Sequence, residues 1–114
     1  MEILSNRIVI LKNKKIKVIS TGPGLIFFGQ NWCGYCKEAK PKFKQAHSIY
    51  FNTNPNMYYM EGTKNIELFD KLEKLKIISG YPTIYKFNKD GILTKKYTAD
   101  RTIQKFLEEM KKLK

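Results

Sequence analysis

The chain has 114 residues, 22 lysines and arginines against 10 aspartates and glutamates, a formal charge of +12, and 42% hydrophobic residues. That is one domain with enough apolar content for its own core, and its longest apolar run, Leu25-Ile26-Phe27-Phe28, is too short to span a membrane. Lysines cluster at Lys12–Lys17, Lys37–Lys44 and Lys111–Lys114 without interleaved aromatics, which reads as solvated faces suited to acidic partners ahead of a dedicated nucleic-acid surface; steeply salt-dependent nucleic-acid binding through the +12 charge is the weaker option.

The first fifteen residues, MEILSNRIVILKNKK, lack the basic start, long apolar stretch and small-residue cleavage site of a secretory signal. A reducing, cytoplasmic setting is therefore expected. A viral or packaged particle is the alternative if an AT-rich genome accounts for the lysines. Arg7–Leu11 and Ile16–Ser20 read as short strands of a hairpin around Lys12-Asn13-Lys14-Lys15. After the break at Thr21-Gly22-Pro23-Gly24, Leu25–Phe28 has the continuous apolar character of a central strand buried on both faces.

From Gly34 to Tyr50 the pattern is helical: Ala39, Phe43, Ala46 and Tyr50 form one stripe, and Pro41 lies inside it as a kink. A loop at Asn52–Asn56 leads to a strand at Met57–Met60. The next helix fits Asn65–Ile77, with Leu68, Phe69, Leu72 and Leu75 inward, ended by Ser79-Gly80. Thr83–Phe87 and Ile92–Tyr97 are strands joined by Asn88-Lys89-Asp90-Gly91, whose Asp-Gly is a hairpin signal. A last helix at Arg101–Leu113 takes Asp100 as its N-cap. The sum is an α/β domain over residues 1–114, with a mixed sheet covered on both sides.

Cys33 and Cys36 are the only cysteines. At a strand-to-helix junction, Cys33 falls at the helix N-terminus, where free N–H groups and the positive end of the dipole stabilise a thiolate. Cys36 follows one turn later. This suits a redox couple: an exposed first sulfur attacks, and a second resolves the mixed disulfide. Lys37 adds positive charge beside them. As a staple the pair is poor, because closing so short a loop removes little unfolded-chain entropy. A metal site lacks ligands, since the one histidine, His47, lies eleven residues past Cys36, about 16 Å along the helix. His47 reads as a surface or half-buried helix residue without chemistry, and no metal is expected. Two idle buried thiols remain the plain alternative.

Trp32-Cys33-Gly34-Tyr35-Cys36, Pro41 five residues after Cys36, and Tyr81-Pro82-Thr83 ahead of a strand and hairpin together resemble the thioredoxin family. The resemblance runs from about Leu25 to the C-terminus. It implies a three-layer fold, with Cys33 as nucleophile, Cys36 as resolving thiol, Pro41 as the helix-kinking proline and Pro82 as a cis-proline beside the disulfide. It also implies a contact surface of Trp32, Gly34, Tyr35, Tyr81 and Pro82, with Ala99 at its margin. The Tyr81 backbone would offer strand-like hydrogen bonds to an incoming peptide. The chain departs from the family pattern in three places. Phe27 stands where the family buries an aspartate six residues before the first cysteine, Gly-Tyr replaces Gly-Pro between the cysteines, and a hairpin precedes Ser20 where a strand and a helix are usual.

The function expected from this is protein thiol–disulfide exchange by a monomer without a cofactor. Its substrates would be protein disulfides or thiols, and a reductase, glutathione or an oxidant would recycle it. The alternative is a binding module of the same fold that holds an acidic partner without redox turnover.

Overall fold

The computed structural model describes residues 1–113, so Lys114 of the last lysine cluster lies outside the described residues. In chain order the elements are β1 (Ile8–Ile10), β2 (Ile16–Val18), β3 (Gly24–Gly29), α1 (Gly34–Tyr50), β4 (Met57–Glu61), α2 (Ile66–Lys74), β5 (Thr83–Phe87), β6 (Leu93–Lys96) and α3 (Ile103–Lys112). Short 3-10 turns at Ser5–Arg7 and Gly62–Lys64 precede β1 and follow β4.

The apolar run Leu25–Phe28 does become the central strand. Every residue of β3 is buried, with β4 parallel on one side and β5 antiparallel on the other, in the order β4-β3-β5-β6. Because side chains alternate along a strand, each face of β3 takes its own cover. Leu25 and Phe27 pack with Ala39, Phe43 and Ala46 of α1 and Phe106 and Met110 of α3. Ile26 and Phe28 pack with Leu68, Phe69 and Leu72 of α2, and with Ile16 and Val18 of β2. The chain thus forms the expected three-layer domain with a mixed sheet.

The N-terminal segment is the hairpin read from the sequence: β1 and β2 pair antiparallel as a separate two-stranded sheet. Ahead of it, residues 1–3 run beside β4. The Ile3 N–H donates to the Tyr59 carbonyl and the Tyr59 N–H donates to the Met1 carbonyl, each at 2.9 Å. β2 reaches the β5–β6 turn, where the Val18 N–H donates to the Gly91 carbonyl at 2.8 Å and Lys17 pairs with Ile92. Buried Asn65 ties the start to the core. Its Oδ1 accepts from the Ser5 N–H and hydroxyl at 2.9 and 2.7 Å, and its Nδ2 donates to the Glu61 carbonyl at 2.8 Å.

β1 and β2 are shorter than the expected Arg7–Leu11 and Ile16–Ser20, β3 extends one residue beyond Leu25–Phe28 at each end, α2 starts at Ile66, not Asn65, and α3 is shorter than Arg101–Leu113; four further differences follow. The strand expected to end at Met60 continues to Glu61. α2 ends at Lys74, short of Ile77, because Lys76 adopts a left-handed conformation (φ 63°). The Lys76 and Ile77 N–H groups then turn back to the carbonyls of Glu73 and Leu72 and close the helix end. α3 is capped by Thr102, whose hydroxyl accepts from the Lys105 N–H at 3.2 Å. Asp100 is engaged instead through its carbonyl, by the Tyr97 hydroxyl. Finally, β6 spans only Leu93–Lys96, since Ile92 pairs with Lys17 rather than with β5. No helix among the described residues is long and apolar enough to cross a membrane.

Two left-handed positions give opposite expectations. Gly91 has φ +83°, and a Cβ there would sit 2.0 Å from the Val18 carbonyl oxygen, so Gly91→Ala should cost about 2 kcal/mol. Lys76→Gly relieves the same kind of backbone strain in the open and should add about 0.5–1 kcal/mol. Urea unfolding midpoints at unchanged slope would check both.

Candidate functional site

Gln30 and Asn31 carry the chain from β3 into α1, and the Cys33 N–H donates to the Gln30 carbonyl at 3.1 Å. Cys33 is the N-cap of α1. Its extended backbone turns the sulfur back over the first helical turn, where Sγ accepts from the Cys36 N–H at 3.2 Å. On its other side the Cys33 thiol lies 3.5 Å from the Tyr81 carbonyl oxygen, to which it donates. The Tyr81–Pro82 peptide bond is cis. Both cysteines are free thiols.

The exposed first sulfur expected from the sequence is not what the fold presents: Cys33 is 7% exposed and Cys36 2%. The N-cap geometry and the Tyr81 carbonyl cover Cys33, so the opening to it is narrow. The surroundings are open, with Trp32 and Tyr35 both 67% exposed, and a Cβ on Gly34 would meet nothing within 4 Å. Cys36 faces the core beside Phe27 and Ala39. Burial, then its contact with Cys33 and the negative charge of Glu61, push its thiol up to about 12.

The structure gathers Trp32, Cys33, Cys36, Tyr81 and Pro82 in one place. The Tyr81 ring packs against Trp32, edge-on at 5.8 Å, and Phe69, stacked at 6.1 Å. Its hydroxyl donates to Glu73 at 2.7 Å. Burial and that carboxylate push the phenol up to about 12. The contact of Tyr81 with the thiol runs through its backbone carbonyl. Tyr35 stands apart, on the outer side of α1, with the Arg101 guanidinium 5.8 Å from its ring centroid. Ala99 is half-buried against the core behind it.

Sequence reading missed Glu61. It is 5% exposed, and its Oε1 accepts from the Tyr59 hydroxyl at 2.8 Å. Its Oε2 accepts from the Asn31 N–H at 3.0 Å and from the Thr63 N–H and hydroxyl at 3.2 and 3.0 Å. Burial alone would push this carboxyl up, but the bonds from Tyr59, Thr63 and Asn31 outweigh it and hold the carboxyl below its ordinary value. The signal was present in the sequence, as a charge closing the otherwise apolar stretch Met57–Met60. Phe27, in the position of the missing aspartate, packs its ring 5.4 Å from Tyr59 and 5.3 Å from Phe43. Also missed was Lys96, which donates to the Ser79 hydroxyl at 3.2 Å and lines a shallow recess with Tyr81 and Pro82. His47 is half-buried, its ring edge-on to Phe51 at 5.4 Å. Among the described residues no three His, Cys, Asp or Glu side chains converge to hold a metal ion.

Comparison with known proteins agrees with this geometry. The family model described as Thioredoxin matches residues 8–112. A protein disulfide-isomerase of Schizosaccharomyces pombe is 29% identical over 77% of this chain, and one of Drosophila melanogaster 33% over 74%. The chain spans only 24% and 16% of those two relatives' lengths. Among solved structures, human ERp44 superposes with a TM-score of 0.69 at 16% identity, over 81% of this chain and 27% of that one. The first thioredoxin domain of mouse protein disulfide-isomerase A4 gives 0.59 at 26% identity, over 79% of this chain and 61% of that one.

Glu61 makes three expectations. Glu61→Ala strands the Tyr59 hydroxyl and the Asn31 N–H and should cost about 2–3 kcal/mol in urea unfolding. Because the fold lowers this carboxyl, its stabilisation is complete above the unfolded value of 4.5 and is lost as pH falls through the folded value. Glu61→Gln should therefore flatten the decline of stability below pH 5, and should move alkylation of Cys36 to lower pH by removing a negative charge.

Proposed function

Because the chain belongs to the thioredoxin family, we propose that it is a thiol–disulfide oxidoreductase acting on protein disulfides, with Cys33 as nucleophile and Cys36 as resolving thiol. The observation that carries this reading is the seat of Cys33 Sγ, between the Cys36 N–H and the Tyr81 carbonyl, with the second thiol one turn behind.

In the reductive direction Cys33 gives its proton to solvent and attacks one sulfur of the substrate disulfide. A Cys33–substrate S–S bond forms, the substrate's own S–S bond breaks, and the departing thiolate takes a proton from water. Cys36 then loses its proton to solvent and attacks Cys33 Sγ, releasing the second substrate thiol. Two electrons have passed from the cysteine pair to the substrate, leaving a Cys33–Cys36 disulfide for an external dithiol or glutathione to reduce. With an oxidant as the resetting partner, the same steps run in reverse and form substrate disulfides.

Burial and the negative charge of Glu61 act on the Cys36 thiol in the mixed disulfide too, and both disfavour the thiolate that the resolving step needs. The Tyr81 backbone, with Trp32, Gly34 and Pro82 beside it and Tyr35 farther out on α1, is the surface along which a substrate strand lies. Neither cysteine is used to staple the fold elsewhere, which supports work in a reducing compartment such as the cytoplasm. A second reading, a binder of acidic proteins without turnover, draws on the exposed Trp32 and Tyr35 rings.

Cys33→Ser should lose at least about 10³-fold in disulfide turnover, and Cys36→Ser should accumulate a covalent adduct with substrate, visible as a mass increase. In graded glutathione buffers the wild-type pair should form a reversible disulfide between about −270 and −120 mV. Absence of that disulfide, or substrate held equally well by Cys33→Ser without turnover in the wild type, would replace the enzyme with the binder.

A further inference from the structure

The rim over Cys33 carries cations that the protein itself leaves unpaired. Lys96, exposed on β6, lines the recess formed with Tyr81 and Pro82, and its ammonium donates only to the Ser79 hydroxyl. Arg101, exposed ahead of α3, rests on the Tyr35 ring and lines a second recess together with Lys42. Lys37, next to Cys36, is also exposed. The ion pairs among the described residues use Lys64, Lys86, Lys105 and Lys112, none of them at this rim. Of the carboxylates there, Glu73 is occupied by the Tyr81 hydroxyl, Glu38 lines the recess of Lys42 and Arg101, and exposed Asp100 precedes Arg101 in the chain, against the four cations Lys37, Lys42, Lys96 and Arg101.

Each recess includes one residue tied to the thiol. Tyr81, whose carbonyl accepts from Cys33, belongs to one, and Tyr35, two residues past Cys33, belongs to the other. An extended segment that brings its cysteine to Cys33 and follows the Tyr81 backbone enters both, and meets a cation in each. Resting on the oxidoreductase reading, we propose that the disulfides this site takes lie in acidic segments, with carboxylate side chains flanking the attacked cysteine seated on Lys96 on one side and Arg101 on the other. Basic segments meet like charge at both places, so the rim selects by repulsion as well as attraction.

The probe is a matched pair of quenched-fluorescence peptide disulfides, identical except for glutamates or lysines beside the cysteine, reduced by the wild-type protein under a regenerating dithiol. The acidic peptide should be favoured about tenfold in kcat/KM at low ionic strength, and the preference should shrink as salt screens the rim. In Lys96→Glu/Arg101→Glu the ratio should reverse. Because both peptides are read in one sample, the ratio does not depend on how much of the variant is folded. Equal wild-type rates on the two peptides, or a preference that survives the double charge reversal, overturn the acidic-segment proposal and leave the oxidoreductase reading standing. Failure of the wild type to reduce either peptide takes down both.

Discussion

Glu61 closes β4 with both carboxylate oxygens inside the fold, where they accept from Tyr59, Asn31 and Thr63. A buried carboxylate is tolerated only when donors converge on it, and here they come from the strand, the loop before Cys33 and the turn after β4. The Asn31 N–H, two residues before Cys33, is one of these donors, so the carboxylate ties the exit from β3 to β4 just ahead of the point where Cys33 enters α1. The Glu61 carbonyl extends the same hold to Asn65, and through it to Ser5. Glu61 thus holds the thiol-bearing turn through its carboxylate and the N-terminal segment through its backbone carbonyl.

The difference between the two thiols follows from this frame. Cys33, as N-cap, has an N–H and a carbonyl on either side of its sulfur. Cys36, one turn in, sits among Phe27, Ala39 and Phe43 within the field of Glu61. Phe27 matters because of what it replaces. With a phenyl ring filling the space beneath Cys36, no carboxylate stands on β3 to take a proton, and the one on the neighbouring strand is already saturated with donors. Glu61 acts on Cys36 through its charge and not as a base. In the oxidoreductase reading this favours long-lived mixed disulfides, which suits partners that must be held while they are exchanged.

Most of the architecture could be read from the sequence, because each signal was local. The all-apolar Leu25–Phe28, the Ala39–Phe43–Ala46 stripe and the Asp-Gly turn each specify an element without reference to the rest of the chain. The hairpin before Ser20 was equally plain. What escaped were features that depend on distant residues. Thr102 and Asp100 are both acceptable caps by composition, and only the Tyr97 hydroxyl, drawn to the Asp100 carbonyl, decides between them. The end of α2 turned on a lysine in a left-handed conformation, which composition argues against. At the site, Cys33, Cys36, Trp32, Tyr81 and Pro82 were readable because they form motifs. Glu61, Lys96 and Arg101 join them only through strand pairing and loop placement, and no spacing rule connects residue 33 with residues 61, 96 and 101.

The first twenty residues also change what the sheet offers to its surroundings. A strand at the margin of a sheet carries a row of unpaired N–H and carbonyl groups that can recruit a strand from another molecule. Along β4 that row is met by the backbone of Met1 and Ile3. Just before β6, Ile92 is paired with Lys17, and β6 itself continues as Thr94, Lys95 and Lys96, all exposed. One margin is occupied by the chain's own backbone and the other carries charges that repel a second copy. The segment that departs most from the family pattern thus covers one margin of the main sheet with the chain's own backbone and reaches the start of the strand at the other.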